Sequence, residues 1–350
     1  MTDYELLLSK EDKYKEFYRY RLNAFYYLTV LVIVIFLVAN FLNYNPDGEA
    51  VPSAGVNFQP DRNFITSQKS GQELPVTTTP SSPSVPYKYG NLPKCDLSKD
   101  AETPLINAKE ATLQFFRCAS MILMRFARNP EGLLFNWPYT IYVCDEEDEI
   151  MKIPLQSFDN GEKQYWAVLP RCQEKSTFIT LGTGNNSKAE DDLRAIVQNI
   201  TSFGTDPFLN ENKRYDHFYQ TAISNNETKL QMNNEATLYN VTATDQAVFF
   251  NETVAAKKID MLWINPNAGN FQYWKYLNLD GEFDKLGIIV CQLNIEITKS
   301  DAKHWEKFIM PLVRERRYVF MRPMATQGGN VTRTFFLNAK DRECVRKYLQ

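Results

Sequence analysis

The sequence lacks the motifs on which several common chemistries depend. Its 350 residues contain no Cys-x-x-Cys pair, no His-Glu-x-x-His and no Gly-x-Ser-x-Gly, so structural zinc, zincin protease and serine hydrolase functions have no motif to support them. Histidine is scarce, with two residues, and the formal net charge is −3. Because there is no overall basic field, the composition argues against a nucleic-acid partner.

The remaining composition is that of a folded globular chain. Hydrophobic residues make up 44% and charged residues 23%, which excludes gross disorder and a collagen-like repeat. Six cysteines are too few for a miniprotein built on disulfides in a chain of this length.

One long apolar run lies near the N-terminus. Residues 24–42 read AFYYLTVLVIVIFLVANFL and carry no charge. At ~1.5 Å per residue this run spans about 28 Å, close to the ~30 Å hydrocarbon core of a bilayer. A buried core helix, which is the alternative, normally shows a polar stripe that this run lacks. The run therefore predicts a transmembrane helix over residues 24–43.

The distribution of positive residues predicts the orientation of this helix. The first positive residue after the apolar run is Arg62, whereas five precede it: Lys10, Lys13, Lys15, Arg19 and Arg21. The positive-inside rule then makes residues 1–23 a cytosolic tail and the chain a single-pass type II membrane protein of the Golgi or endoplasmic reticulum. A cleaved signal peptide is the alternative, but its apolar stretch is usually ~7–15 residues long.

The residues after the apolar run predict a stalk followed by a lumenal domain. Residues 44–94 hold eight of the 17 prolines and are rich in serine and threonine, which bury too little apolar surface to fold. Residues 95–350 form the predicted lumenal domain. They contain all six cysteines, so up to three disulfides are expected; the alternative is free thiols, with Cys291 the best candidate because it lies in an apolar run.

Asparagine-linked glycosylation is also expected in this domain. The predicted acceptors are Asn199, Asn226, Asn240, Asn251 and Asn330. A sixth sequon, at Asn185, lies in a glycine-rich loop where a glycan would obstruct a ligand.

The pattern from residue 177 onward alternates between strands and helices. Strands are predicted at 177–181, 200–204, 217–223, 260–264 and within 286–297, with helices at 188–197 and 300–315 and a closing hairpin at 317–337. Before residue 177 we predict a helix over 106–127 and short strands at 139–144, 149–154 and 165–169. This alternation indicates an α/β fold with a largely parallel sheet, which binds ligands at the C-terminal ends of its strands.

Two features at predicted strand ends favour a ligand site. The first strand runs into Gly182, Thr183 and Gly184, and Ser187 with Glu190 forms a capping box for the next helix. Glycine permits close backbone approach, and a helix N-terminus offers free N–H groups. Asp206 ends the second strand, where an acidic residue holds ribose hydroxyls in nucleotide-binding sheets. A plain structural turn is the alternative for each feature.

An ordered set of segments resembles the FkbM-type methyltransferases, in particular a membrane-anchored animal branch. The segments are FITLGTG (178–184), SFGTDP (202–207), TAISNNET (221–228), IDMLWIN (259–265), GIIVCQLNIEI (287–297) and ECVRKY (343–348). The resemblance implies a Rossmann-like class I methyltransferase fold that binds S-adenosylmethionine. In that case Gly182 and Gly184 face the methionine part of the cofactor and Asp206 binds the ribose.

The sequence departs from the family at the acidic motif that usually follows the fourth strand. Asn265, Asn267 and Asn270 occupy the three positions where the family carries acids. Asparagine keeps hydrogen bonding but cannot act as a base. We therefore expect Glu296, at the end of the fifth strand, to be the catalytic carboxylate, with Asn265 and Asn267 beside it; Asp206 and His304 are alternative bases.

These features predict an O-methyltransferase that uses S-adenosylmethionine on a glycan or other secretory-pathway acceptor. One alternative is a catalytically inactive binding protein with the same fold. Another is a lumenal glycosyltransferase, for which the acidic run at 145–148 is the nearest substitute for an Asp-x-Asp metal motif. The sequence leaves the oligomeric state open.

Overall fold

The structure is a computed structural model. It describes residues 87–96, 102–126, 128–145, 150, 152–161, 163–225, 228–234, 237–265, 268–269, 271–326 and 331–349. The predicted cytosolic tail (1–23), the predicted transmembrane helix (24–43) and residues 44–86 of the predicted stalk lie outside the described residues, as do Asn226, Asn267, Asn270 and Asn330.

The described residues form eight α-helices, three short 3-10 helices (Tyr89–Asn91, Met124–Phe126 and Lys299–Asp301) and twelve strands. The helices are α1 Glu102–Leu123, α2 Pro130–Asp145, α3 Lys188–Ile196, α4 Gln246–Val248 (continued by a π turn, Phe249–Val254), α5 Tyr273–Tyr276, α6 Glu282–Lys285, α7 Ala302–Glu315 and α8 Arg342–Tyr348. The strands are β1 Leu155–Asp159, β2 Gln164–Val168, β3 Ser176–Leu181, β4 Ile200–Thr205, β5 His217–Tyr219, β6 Ala222–Ser224, β7 Lys229–Asn234, β8 Thr237–Asp245, β9 Lys258–Ile264, β10 Ile289–Thr298, β11 Tyr318–Thr326 and β12 Val331–Asn338.

Seven strands form the main sheet in the order β11-β12-β10-β9-β3-β4-β5. All of them run parallel except β12, which pairs antiparallel with β10 and β11. β4 pairs with one edge of β3, and β5 pairs with β4. The chain then crosses back, and β9 pairs with the other edge of β3. Such a reversal of strand order leaves a crevice at the C-terminal ends of β3 and β9, where doubly wound sheets bind ligands.

Alternating side chains of the central strands divide the core into two layers. Leu262 and Leu293 face a large apolar cluster that contains Trp137 of α2 and Trp305 of α7. Trp263 lies in a second cluster, beneath α3 and the β1–β2 hairpin. The strands are apolar on both faces because both faces are covered, as expected for parallel sheets. A separate three-stranded sheet, β6-β8-β7, has a small apolar cluster of Ala222, Val241 and Ala243, and Ile223 of β6 belongs to the large cluster.

Three disulfides pair all six cysteines. Cys95 bonds to Cys172, Cys118 to Cys144, and Cys291 to Cys344. The alternative of a free thiol at Cys291 is therefore wrong. Disulfides persist in oxidising compartments, so this pairing is that of a lumenal or secreted protein.

The predicted fold class needs a correction at its transmembrane helix. Among the described residues, no helix is both long and apolar enough to cross a membrane. The longest of them, α1 with 22 residues, carries Glu102, Lys109, Glu110 and Arg117. What the structure shows is a mixed α/β fold of sheets and helices.

Three of the predicted elements are also corrected. In the strand predicted at 149–154, the described residues 150 and 152–154 are not in a strand, and β1 begins at Leu155. Residues 139–144, predicted as a strand, lie in α2, because Ile141 and Cys144 continue the buried face of this helix, which packs against α7 and β11. Residues 217–223, predicted as one strand, form β5 and β6, which belong to different sheets. The turn at Gln220 and Thr221 separates them.

Candidate functional site

The glycine turn after β3 lies at the reversal of strand order. Gly182 and Gly184 have φ values of +76° and +65°, a backbone region that favours glycine. The N–H groups of Gly182 and Thr183 both donate to the Thr205 carbonyl at the end of β4. A Cβ atom at Gly184 would meet no heavy atom within 4 Å. The two hydrogen bonds to Thr205 therefore fix the turn, and the turn faces open space at Gly184.

Asp206 supports the same turn from β4. Its carboxylate accepts hydrogen bonds from the Gly184 N–H at 2.9 Å and from the Phe208 N–H at 2.9 Å, and the residue is 1% exposed. Each carboxylate oxygen can accept a second hydrogen bond. The turn and Asp206, predicted as a pair from their positions at two strand ends, are thus in direct contact.

Asn265, the first residue after β9, joins the glycine turn to the β1–β2 hairpin. Its Oδ1 accepts from the Tyr165 hydroxyl at 3.0 Å, and its Nδ2 donates to the Gly182 carbonyl at 2.9 Å. The Tyr165 ring stacks on Trp263 with centroids 4.0 Å apart. Burial raises the pKa of Tyr165 to about 12, so its hydroxyl remains a donor at neutral pH. Asn265 uses both ends of its amide, which a carboxylate could not do.

Glu296, the predicted catalytic carboxylate, forms a buried ion pair. It lies directly opposite Arg333 in the β10–β12 register, and the two side chains contact each other. Their exposed fractions are 6% and 3%, and Lys163 lies 3.4 Å from the same carboxylate oxygen. The Arg333 guanidinium also covers the Tyr165 ring, 4.3 Å from its centroid. Two cations stabilise the charge of Glu296, which weakens it as a base.

Glu190 is a second buried carboxyl group, on the first turn of α3. Its Oε1 accepts from the Tyr215 hydroxyl at 3.1 Å, and the residue is 2% exposed. Burial raises the pKa of Glu190 to about 7. The Tyr215 ring lies against Gly204, where a Cβ atom would approach its Cγ to 2.8 Å. The capping box predicted for Ser187 and Glu190 is therefore not formed, because Glu190 turns toward Tyr215 and the Ser187 side chain makes no capping bond.

We call six of these residues the buried polar cluster: Tyr165, Glu190, Tyr215, Asn265, Glu296 and Arg333. Sequence reasoning singled out Glu296 and Asn265, and it used Glu190 only as a cap. It missed Tyr165, Tyr215 and Arg333, whose positions depend on strand register and on the hairpin. Of the two histidines, His304 stacks on Trp274 at 3.9 Å and His217 on Phe203 at 4.8 Å.

The described sequons lie on the surface. Asn199, Asn240 and Asn251 are exposed, and so is Asn185, which follows Gly184 directly. For the acidic run at 145–148, Asp145 ends α2 and the other three residues are not described. No group of three or more metal-binding side chains occurs in the part of the chain that the structure describes.

The raised pKa of Glu190 predicts a pH-dependent loss of stability. Between pH 4.5, where the unfolded carboxyl ionises, and about 7, the folded protein binds the extra proton, so stability falls as pH rises. The full effect is about 3 kcal/mol. Glu190→Gln has no carboxyl group at this position and lacks this pH dependence. Relative to the native protein, its free energy of unfolding should therefore rise by about 3 kcal/mol between about pH 4 and about pH 8. Urea unfolding at the two pH values measures this change in stability. Glu211→Gln, an exposed control, should show no such change. If Glu190→Gln differs from the native protein by the same free energy at both pH values, the prediction is contradicted.

The chain is similar to an uncharacterised protein of Caenorhabditis elegans. The two are 20% identical over 227 residues, which covers 61% of this chain and 74% of the relative. No protein-family model matches the chain. No solved structure matches it either. The resemblance to FkbM-type methyltransferases therefore has no support from a family model and stays a prediction.

Proposed function

We propose that this domain binds S-adenosylmethionine at the glycine turn and transfers its methyl group to a hydroxyl of a glycan or other secretory-pathway acceptor. The observation that carries the proposal is the contact between Gly184 and Asp206 at the reversal of strand order. Doubly wound sheets bind nucleotides at this point, with an acidic residue on the ribose.

The residues present are compatible with this cofactor. The open side of Gly184 admits a ligand against the backbone, and the oxygens of Asp206 retain acceptor capacity for a pair of ribose hydroxyls. The hydroxyls of Thr183 and Thr205 are buried beside the turn without a hydrogen-bond partner. When bound, S-adenosylmethionine supplies a methyl group on a positively charged sulfur, ready for transfer to an acceptor oxygen.

The protein's own contribution to transfer would be mainly positioning. An acceptor hydroxyl must align with the methyl group and lose its proton, and Glu296 is the predicted base. Its carboxylate already pairs with Arg333 and lies near Lys163, so it is not free to approach an acceptor. We therefore expect a slow reaction, in which orientation contributes more than proton transfer.

A second candidate is a catalytically inactive protein that binds a glycan or a protein partner. Two observations favour it: Asn265 has both ends of its amide engaged, and Glu296 is neutralised by its neighbours. In this case the fold keeps the ligand crevice without a working base. The glycosyltransferase alternative has no comparable observation.

Ligand binding by the full chain, produced through a secretory host, tests the proposal. Calorimetry should detect one S-adenosylmethionine site, and Asp206→Ala should weaken it by about 10- to 100-fold, because hydrogen bonds to a charged group are lost. Asp206→Asn, which keeps size and one acceptor, should fall in between. Methyl transfer from labelled cofactor to secreted glycans then separates the candidates: binding with transfer supports the enzyme, binding without transfer supports the inactive protein, and no binding contradicts the shared cofactor site.

A further inference from the structure

The outer face of α2 carries a row of exposed apolar side chains. Phe135, Tyr139 and Tyr142 are 78%, 73% and 54% exposed, and Val143 beside them is 41% exposed. The three aromatic residues are four and three positions apart, which places them along one side of the helix. Trp137, on the opposite side, is fully buried in the apolar core. We call Phe135, Tyr139, Tyr142 and Val143 the aromatic row.

The aromatic row makes α2 apolar on both its inner and its outer side. Of the exposed side chains that the structure describes in this helix, only Glu131 is charged. A helix that is hydrophobic all round is normally covered on all sides, whereas single exposed apolar residues need no explanation. At ~200 Å² for each aromatic residue, the exposed fractions amount to about 400 Å². That is half of the ~800 Å² that each partner buries in a standard protein interface.

The charges at the two ends of α2 favour a second copy of the chain as the covering partner. In the sequence, Arg125 and Arg128 precede the helix, and the acidic run at 145–148 begins at its last residue. An antiparallel copy of α2 therefore brings the basic end of one helix to the acidic end of the other. The helix dipoles oppose each other favourably in the same arrangement. The acidic run repels anionic lipids, so a membrane surface is the poorer match.

The sequons leave this part of the domain uncovered by glycans. The first sequon of the chain is at Asn185, so residues 87–184, which include α1 and α2, contain none. The described sequon residues, including Asn199, Asn240 and Asn251, are exposed and belong to other elements. N-linked glycans at those positions are attached outside the helix that carries the aromatic row.

We propose that the aromatic row is the interface of a homodimer, in which α2 of one copy packs antiparallel to α2 of the other. Such an interface is isologous, because both copies contribute the same surface. Tyr139, the middle aromatic residue, lies at the two-fold axis and faces its own copy. Phe135 then faces Tyr142 of the second copy, and the same contact is repeated on the other side of the axis. This proposal does not depend on the cofactor site.

Sedimentation of the purified full chain tests the dimer. At about 10 μM the native chain should sediment with twice the mass of one chain. Tyr139→Asp buries two facing carboxylates in the interface, so it should raise the dissociation constant by about 100-fold or more. Leu238→Asp is the matched control: Leu238 is 58% exposed on β8, outside the interface, and the change should leave the dimer intact. Equal urea midpoints of the two variants show that both are folded.

Cross-linking tests the position of the two-fold axis. All six native cysteines are in disulfides, so an introduced cysteine supplies a single free thiol in each copy. Tyr139→Cys should be joined into a covalent dimer by a short bis-maleimide, and Leu238→Cys should stay a single chain. A native chain that sediments as a monomer, or a Tyr139→Asp variant that dimerises like the native chain, would overturn the proposal. Binding of a monomeric native chain to phosphatidylcholine vesicles, lost in Tyr139→Asp, would assign the aromatic row to a lipid surface instead.

Discussion

Asp260→Ala is expected to lower the free energy of unfolding by about 3–5 kcal/mol. Asp260 is 1% exposed, and its Oδ1 accepts from Lys347 Nζ at 2.6 Å and from the Tyr348 hydroxyl at 2.8 Å. Its Oδ2 accepts from the Thr177 N–H at 2.9 Å. These bonds connect α8 to β3 and β9. Removing Asp260 leaves the buried Lys347 with the more distant Glu174, 3.8 Å away, as its remaining ion-pair partner.

Urea unfolding followed by circular dichroism measures this loss. Asp260→Asn is the matched control, because it keeps the size of the side chain and part of its hydrogen bonding but removes the charge, and it should have an intermediate cost. The pair Asp260→Leu with Lys347→Met should recover most of the stability, since apolar replacements of a buried ion pair are often neutral. A loss below about 1 kcal/mol in Asp260→Ala would mean that the pair behaves like a surface ion pair.

Glu296→Ala should have a similarly large effect, again about 3–5 kcal/mol, in the candidate site itself. The change leaves Arg333, whose side chain is 3% exposed, without its anion, and Lys163 loses the same partner. Glu296→Gln should cost less, because the amide oxygen still accepts a hydrogen bond from Arg333. Thermal or urea unfolding of the three proteins measures the series.

A double variant separates stability from function at this pair. Glu296→Leu with Arg333→Met removes both charges and should unfold at nearly the native urea concentration. If Glu296 is the base of a methyl transfer, the double variant stays folded and binds cofactor but loses transfer. Native rates of transfer in the folded double variant would contradict a catalytic role for Glu296.

The central strands and helices could be predicted because each corresponds to a local pattern in the sequence. β3, α3, β4, β9, β10 and α7 correspond to apolar runs or periodic segments of the sequence. The glycine turn and Asp206 were predictable for the same reason, since each follows a strand. The antiparallel β7–β8 pair was not predicted, although Tyr239, Val241 and Ala243 of β8 alternate with polar residues. Of these three, Val241 and Ala243 are buried, whereas Tyr239 is exposed.

The buried polar cluster was not predictable, because its contacts join residues that are distant in sequence. Tyr165 bonds to Asn265, 100 residues further on, and Arg333 meets Glu296 only through the register of β10 with β12. The hairpin that carries Tyr165 is positioned by the side-chain amides of Gln292 and Asn294, which bond to the backbone of β2. No sequence pattern gives this arrangement.

Asn265 shows how the structure changes the interpretation of a sequence feature. The resemblance to FkbM-type methyltransferases interprets this asparagine as a residue that replaces an acid. In the structure its Nδ2 donates to the Gly182 carbonyl, so Asn265→Asp would place a carboxylate against that oxygen. An aspartate at this position is therefore not a neutral change, because it removes a donor that holds the glycine turn.

The most direct test of the central claim is a crystal structure of the chain with S-adenosylhomocysteine. The account predicts ligand density against the open side of Gly184, with the ribose hydroxyls within hydrogen-bond distance of the Asp206 carboxylate. Density at any other place on the domain, or an unchanged glycine turn without ligand at saturating concentration, would contradict it.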